Sequence, residues 1–258
     1  MKQSAKKYKR IVVKIGSSLF CSPKDCVDFS FLNRTIDQLS ALARSGREIV
    51  VVSSGAIALG MRILNLKSRP KDLPHLQAAA SVGQNALMDA YSKVFKASKI
   101  NCGQVLLTRE DFTDRKRHWN AKNTLEKLLE FGCVPVINEN DATSTEEIKF
   151  GDNDQLSALV AALVNADLLI MLSDVDGLWD KDKKVIKVIA EISSSVKSLA
   201  SSTNKNTSVG GMITKLEAAK IAIDSGIPAI IANGRASGLI TEIISDPASG
   251  GNWTLFLP

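Results

Sequence analysis

Histidine, cysteine and aromatic residues are all scarce in this chain of 258 residues. Only two histidines occur, His75 and His118, so imidazole chemistry has few places to reside. The four cysteines, Cys21, Cys26, Cys102 and Cys133, form no CxxC pair. That excludes a disulfide scaffold and gives no ligand-spaced zinc site; reduced thiols in a cytoplasmic chain are the simplest reading. No apolar run is long enough to cross a membrane. The basic start "MKQSAKKYKR" leads into the short, strand-like "IVVKIG" instead of the longer apolar core of a signal peptide. Both GxxxxGK[ST] and GxGxxG are missing, so any nucleotide must be held by another device. The net charge of +6 suits anionic ligands. However, the basic runs Lys6 to Arg10 and Arg115 to His118 lack interleaved aromatics, which argues against nucleic acid as a partner.

What the chain does have is alternation. Hydrophobic residues make up 45% and charged residues 23%, enough apolar material for a substantial core. Short runs rich in Val and Ile read as strands buried on both faces: "IVVKI" (11–15), "EIVVV" (48–52), "QVLLT" (104–108), "VPVIN" (134–138), "LLIML" (168–172), "PAIIA" (228–232) and "TLFLP" (254–258). Helical spacing appears between them. Phe29, Leu32, Ile36, Leu39 and Leu42 share one face over 29–44. Leu156, Leu159, Val160, Leu163 and Val164 do so over 155–164. Ile213, Leu216, Ala219, Lys220 and Ile223 do so over 212–225, before Gly226. Strand–helix repetition predicts an α/β fold, a mainly parallel sheet with helices on both faces. The segment "DKDKKVIKVIAEI" breaks the rhythm and reads as a hairpin or edge excursion. With no repeat and no clear linker, a single domain over 1–258 is expected.

In such sheets ligands bind beyond the carboxyl ends of strands. Five strands are followed there by small, polar or acidic residues: Gly16-Ser17-Ser18, Ser53-Ser54-Gly55, Asn138-Glu139-Asn140-Asp141, Ser173-Asp174 and Asn233-Gly234. Together they suggest a ligand crevice, and the Gly/Ser turns can offer N–H donors to phosphate. Three charged residues carry open alternatives. Lys14 in its apolar strand is either an edge-strand lysine or an active-site cation. Lys215 lies in the first turn of a helix preceded by Gly210-Gly211. There it either bends into water or joins the helix dipole on a bound phosphate. In "GDNDQLSALVAAL", Asp152 and Asp154 both suit a helix N-terminus. Asp154 can alternatively orient two lysines that would otherwise repel each other.

The segments "VVKIGSS", "VVSSGAIALG", "QAAASVGQ", "VLLT", "NTLEKLLEFGCVPVINENDA", "FGDNDQLSALVA", "LIMLSDVDGLW" and "GGMITKLEAA" occur in this order. Together they resemble the glutamate 5-kinase family of the amino acid kinase superfamily, over about residues 9 to 257. The resemblance implies a three-layer αβα sandwich on an eight-stranded, mainly parallel sheet. It implies ATP-dependent, Mg2+-dependent phosphorylation of the side-chain carboxylate of L-glutamate, the first step of proline biosynthesis. A kinase for aspartate or acetylglutamate is the alternative.

Carried over residue by residue, Lys14, Lys215 and Asp154 would be catalytic, and Ser54, Gly55, Ala56, Asp141 and Asn153 would bind glutamate, Asp141 taking its ammonium group. ATP would meet Lys14, Gly16, Ser173, Asp174, Val209, Gly210, Gly211, Met212, Ile213, Thr214 and Lys215. Mg2+ would ride on the ATP phosphates, with no direct protein ligand. The resemblance further implies a homo-oligomer, feedback inhibition by proline and hand-off of product to glutamate-5-semialdehyde dehydrogenase. Two departures stand out: the chain ends at Pro258 without the PUA domain that many relatives carry, and it reads "SVGGM" where many have "GTGGM".

Overall fold

The computed structural model describes residues 8–21, 26–144, 153–201 and 211–258. In chain order the elements are β1 (Arg10–Ile15), α1 (Ser17–Phe20), α2 (Phe29–Arg44), β2 (Glu48–Ser53), α3 (Ala56–Ile63) and α4 (Leu73–Ala97). They continue as β3 (Cys102–Leu107), α5 (Glu110–Thr113), α6 (Arg115–Glu130), β4 (Val134–Glu139), α7 (Asn153–Leu163) and β5 (Leu168–Ser173). The last are β6 (Val188–Ile189), α8 (Ser194–Ser201), α9 (Met212–Asp224), β7 (Ala229–Asn233), α10 (Leu239–Ser245) and β8 (Trp253–Phe256). No described helix is long and apolar enough to cross a membrane.

The strands form one eight-stranded sheet in the order β3-β4-β2-β1-β5-β7-β8-β6. β3, β4, β2, β1, β5 and β7 are mutually parallel, and β8 runs antiparallel to β7. The expected hairpin or edge excursion is seen as an antiparallel bridge between Trp179 and Val185, followed by the two-residue edge strand β6.

The period-2 geometry of a strand sorts β1 between two cores. Ile11, Val13 and Ile15 face one core with α2, α4 and α10. Val12 faces the other, with α6, α7 and α9. Helices therefore cover both faces, giving three layers. Burying each Val or Ile of β1 contributes about 1.5–3 kcal/mol. Lys14 shares the face of Val12 and is 4% exposed, so a central strand built of Val and Ile buries an ammonium group.

Because β1 is central, the edge-strand reading of Lys14 does not hold. The chain leaves β1 towards β2 and β4, and α7 then carries it back across β1 to β5. The strand order thus reverses around β1, the kind of place where an open α/β sheet forms its crevice.

Candidate active site

Asp154 lies in the first turn of α7 and is fully buried. Its two oxygens each meet a different lysine. Lys14 Nζ is 2.5 Å from Oδ1, and Lys215 Nζ donates to Oδ2 at 2.9 Å. The fold thus brings Lys14, Lys215 and Asp154 together at one point. Burial pushes the Asp154 carboxyl up, but the Coulombic pull of Lys14 and Lys215, with their hydrogen bonds, outweighs it and leaves the group at about 2. Lys215 is 6% exposed, so the outward-bending alternative is not what the structure adopts. Two ammonium groups and one carboxylate sum to one formal positive charge in a nearly dry setting, an arrangement complementary to an anion.

The buried face of α9 differs from the one its sequence suggested. Ile213 is 43% exposed and Lys220 is exposed, whereas Lys215, Leu216, Ala218, Ala219 and Ala222 are buried. α9 packs against α7, and its alanines are buried in the core that the two helices share. Lys215 reaches Asp154 across that helix pair. Gly211, Met212, Ile213 and Thr214 form the start of α9, where Thr214 Oγ1 donates to the Gly211 carbonyl at 2.8 Å. Val209, Gly210 and Asp152 lie outside the described residues.

The strand ends converge beside this charged centre. Gly16 donates its N–H to the Leu172 carbonyl of β5, and a Cβ there would sit 3.2 Å from that oxygen. Ser54 donates its N–H to the Ile15 carbonyl, tying the end of β2 to β1. Gly55 has φ 118°, a left-handed conformation that glycine adopts readily, and Ala56 then starts α3. Ser173 ends β5, and its Oγ donates to Asp174 Oδ1 at 3.2 Å. These are the rim positions expected from the sequence.

On the β2–β4 side the site is lined by amides. Asn138 accepts the Glu139 N–H at its Oδ1 and donates Nδ2 to Gln84 Oε1 at 2.8 Å. Asn153 heads α7, next to Asp154, and its buried Oδ1 has no partner among the described residues. Asp141 follows β4, and burial pushes its carboxyl up to about 6, with Arg69 pulling the other way. The two acids of the rim are thus tuned in opposite directions.

Three residues here were not singled out from the sequence: Gln77, Gln84 and Tyr91, all on α4. Gln77 Nε2 donates to the Ser144 carbonyl at 3.0 Å, Gln84 binds Asn138, and Tyr91 OH donates to Ser53 Oγ at 2.9 Å. Burial pushes the Tyr91 phenol well above its ordinary range, so it remains a neutral donor. Spacing of seven residues puts all three on one face of α4. That recurrence is the signal by which they could have been found. His75 and His118 lie on α4 and α6, His75 exposed and paired with Asp72, and neither is seen among these contacts.

Comparison with known proteins follows the same lines. Residues 9–233 match the model of the Amino acid kinase family. The chain is 45% identical over 255 residues to a glutamate 5-kinase of Caldanaerobacter subterraneus subsp. tengcongensis, covering 96% of this chain and 68% of that protein. It is also 45% identical over 255 residues to a glutamate 5-kinase of Clostridium acetobutylicum, covering 96% of this chain and 94% of that protein. Among solved structures, N-acetylglutamate synthase from Neisseria gonorrhoeae, complexed with coenzyme A and N-acetyl-glutamate, superposes with a TM-score of 0.69 at 14% identity. That match covers 98% of this chain and 60% of the synthase chain. UMP kinase from Ureaplasma parvum gives a TM-score of 0.61 at 16% identity, covering 97% of this chain and 100% of that one. At such identities these two structures speak to the fold alone.

Proposed function

The chain belongs to the amino acid kinase family, among the glutamate 5-kinases, and from that premise we propose that it transfers the γ-phosphoryl group of ATP to the side-chain carboxylate of L-glutamate. The products are γ-glutamyl phosphate and ADP, and the reaction opens proline biosynthesis. The reading rests above all on one observation: a single buried carboxylate holds two buried lysine Nζ groups at the rim of a parallel sheet.

The chemistry suits that cluster. A glutamate side chain, with an ordinary pKa of about 4.3, is already ionised at neutral pH, so no general base is required. The obstacle is that one anion must attack another. A carboxylate oxygen forms a bond to the γ-phosphorus while the bond from phosphorus to the ADP oxygen breaks, and charge spreads over the transferring oxygens. In this reading Lys14 and Lys215 offset that charge, and Asp154 holds their Nζ groups in place, so little reorganisation is needed as the reaction proceeds. Ser54, Gly55, Ala56, Asp141 and Asn153 take glutamate, with Asp141 on its ammonium group. Gly16, Ser173, Asp174 and residues 209–215 take ATP.

Magnesium fits this arrangement as part of the nucleotide. Both oxygens of Asp154 are engaged by lysines, so the central acid is not available as a metal ligand. Bound to the ATP phosphates, the metal would screen their charge. Homo-oligomerisation, inhibition by proline at the glutamate site and hand-off of the labile acyl phosphate to a dehydrogenase belong to the same proposal, as does a single kinase domain over 1–258.

The test is a substrate panel with purified protein, ATP and Mg2+: L-glutamate, L-aspartate, N-acetylglutamate and carbamate. ADP release is followed, and the acyl phosphate is trapped with hydroxylamine. Glutamate-dependent ADP release with hydroxamate formation is the expected result. Preference for another acceptor, or no turnover at all, refutes the reading.

A further inference from the structure

Two hydrogen bonds fix the orientation of two side-chain amides. The Glu139 backbone N–H can only donate, so the Asn138 atom facing it at 2.9 Å is Oδ1. Asn138 must then present its NH2 group to Gln84, and it does, at 2.8 Å from Gln84 Oε1. Gln84 in turn must aim its own NH2 group elsewhere. That Nε2 is buried and has no hydrogen-bond partner among the described residues. A buried amide donor without an acceptor is unfavourable. It is a device by which a site rejects molecules that lack the matching acceptor.

The sheet register places this donor at the same carboxyl-terminal rim as Lys14, towards the opposite face of the sheet. Lys14, Val52 and Ile137 lie in one row across β1, β2 and β4, and Asn138 is the next residue along β4. The Gln84–Asn138 pair therefore sits two strand spacings, about 10 Å, from the β1 backbone that carries Lys14. An amino acid bridging this gap with its side-chain carboxylate at the lysines leaves its α-carboxylate on the β4 side. Backbone contact keeps Gln84 there. A Cβ on the neighbouring Gly83 would fall 1.8 Å from the Ala56 carbonyl, so α4 lies directly against the first residue of α3.

Resting on the glutamate kinase reading, we propose that Gln84 is a further substrate-contacting residue. Its Nε2 donates a hydrogen bond to the α-carboxylate of the amino acid and selects acceptors that carry a free one.

The experiment compares L-glutamate with L-glutamate α-amide, whose α-carboxylate is replaced by a neutral carboxamide, in the wild-type chain and two variants. kcat/KM is measured by ADP release, and where the amide turns over too slowly its inhibition constant is taken instead. Gln84→Glu keeps an oxygen for Asn138 Nδ2 but turns the outward donor into an acceptor. It is expected to raise KM for glutamate by about tenfold or more, to leave KM for ATP within about twofold, and to cut the preference for glutamate over the amide by about tenfold. Gln84→Met, close in volume and lacking the donor, is expected to narrow the same preference by a smaller factor, which keeps the test open if the first variant folds poorly. A preference unchanged in whichever variant folds, with wild-type turnover of glutamate intact, overturns the role of Gln84 alone and leaves only support of Asn138. Absence of glutamate turnover by the wild-type chain overturns the kinase reading, and this inference with it.

Discussion

Around Asp154 each carboxylate oxygen is matched to an ammonium group. Towards Gln84 and Asn153, buried amide atoms have no partner among the described residues. The two regions handle buried polarity in opposite ways. The charged centre is satisfied by the protein's own groups. It sits between α7 and α9 on one face of the sheet, and its alignment is set by packing. The amide region, held largely by α4 on the other face, keeps donors and acceptors in reserve. The difference is what a kinase for a small acidic acceptor needs. In the proposed mechanism, charge that acts at the moment of transfer is held in place, and recognition is left for the correct substrate to complete.

The strongest way to break this comparison is to remove one cation. Lys215→Ala should lower kcat by about 100-fold or more while changing KM for glutamate far less. Steady-state kinetics at saturating ATP decide it, and a dominant effect on KM would mean that the two regions are not separable. Asp154→Ala removes the carboxylate and leaves two buried ammonium groups facing each other. It should cost about 3–5 kcal/mol of stability, read from denaturant unfolding. On the recognition side, Asp141→Asn should raise KM for glutamate by about tenfold with KM for ATP nearly unchanged, because the ammonium group loses its counter-charge.

The two acids also sharpen the contrast through pH. Asp154 is held at about 2, below its unfolded value, so its stabilisation is present above about pH 4 and is lost as pH falls towards 2. Asp141 is raised to about 6, so its contribution is fully present below about pH 4 and is lost as pH rises through 6. Thermal melts from pH 4 to 7 should show that second component in the wild-type chain and not in Asp141→Asn. Glutamate KM should climb as pH drops below about 6, since the ammonium group requires the ionised acid. A flat KM across that range would remove Asp141 from the ammonium site. The smallest effect is expected from Tyr91→Phe. It deletes the hydrogen bond to Ser53 and should lower stability by about 0.5–1.5 kcal/mol, with little change in kcat.

Much of the fold was legible because buried parallel strands announce themselves as continuous apolar runs, as "IVVKI" and "LLIML" do. β6 was visible only as an irregularity, since two residues, one of them exposed, cannot establish a period. The packing face of α9 was misjudged for a chemical reason. Alanines contribute little to a hydrophobic pattern, and a lysine reads as solvent-facing, yet Ala218, Ala219, Ala222 and Lys215 are buried, Lys215 on Asp154 of α7. For Lys14 the strand by itself favoured an edge-strand lysine, and for Lys215 water and a bound phosphate both stayed open. Their shared partner is 140 residues from one and 61 from the other along the chain, so only the fold could decide. Asp141 was picked out through resemblance, since nothing in its neighbours distinguishes it from a loop carboxylate. Gln84 was hidden because glutamine on a helix is ordinarily solvated, and its partner lies 54 residues away.

The contact between α3 and α4 has a mechanical corollary. A Cβ on Gly60 would fall 1.7 Å from the Ala79 carbonyl, and one on Gly83 would fall 1.8 Å from that of Ala56. The two helices are toothed together at both places, without room for even one methyl. Neither can slide past its neighbour, so the Ser54 turn and the α4 glutamines travel as a single block. Anyone wishing to admit a bulkier amino acid must reshape that block whole, because widening one wall alone would strip its teeth.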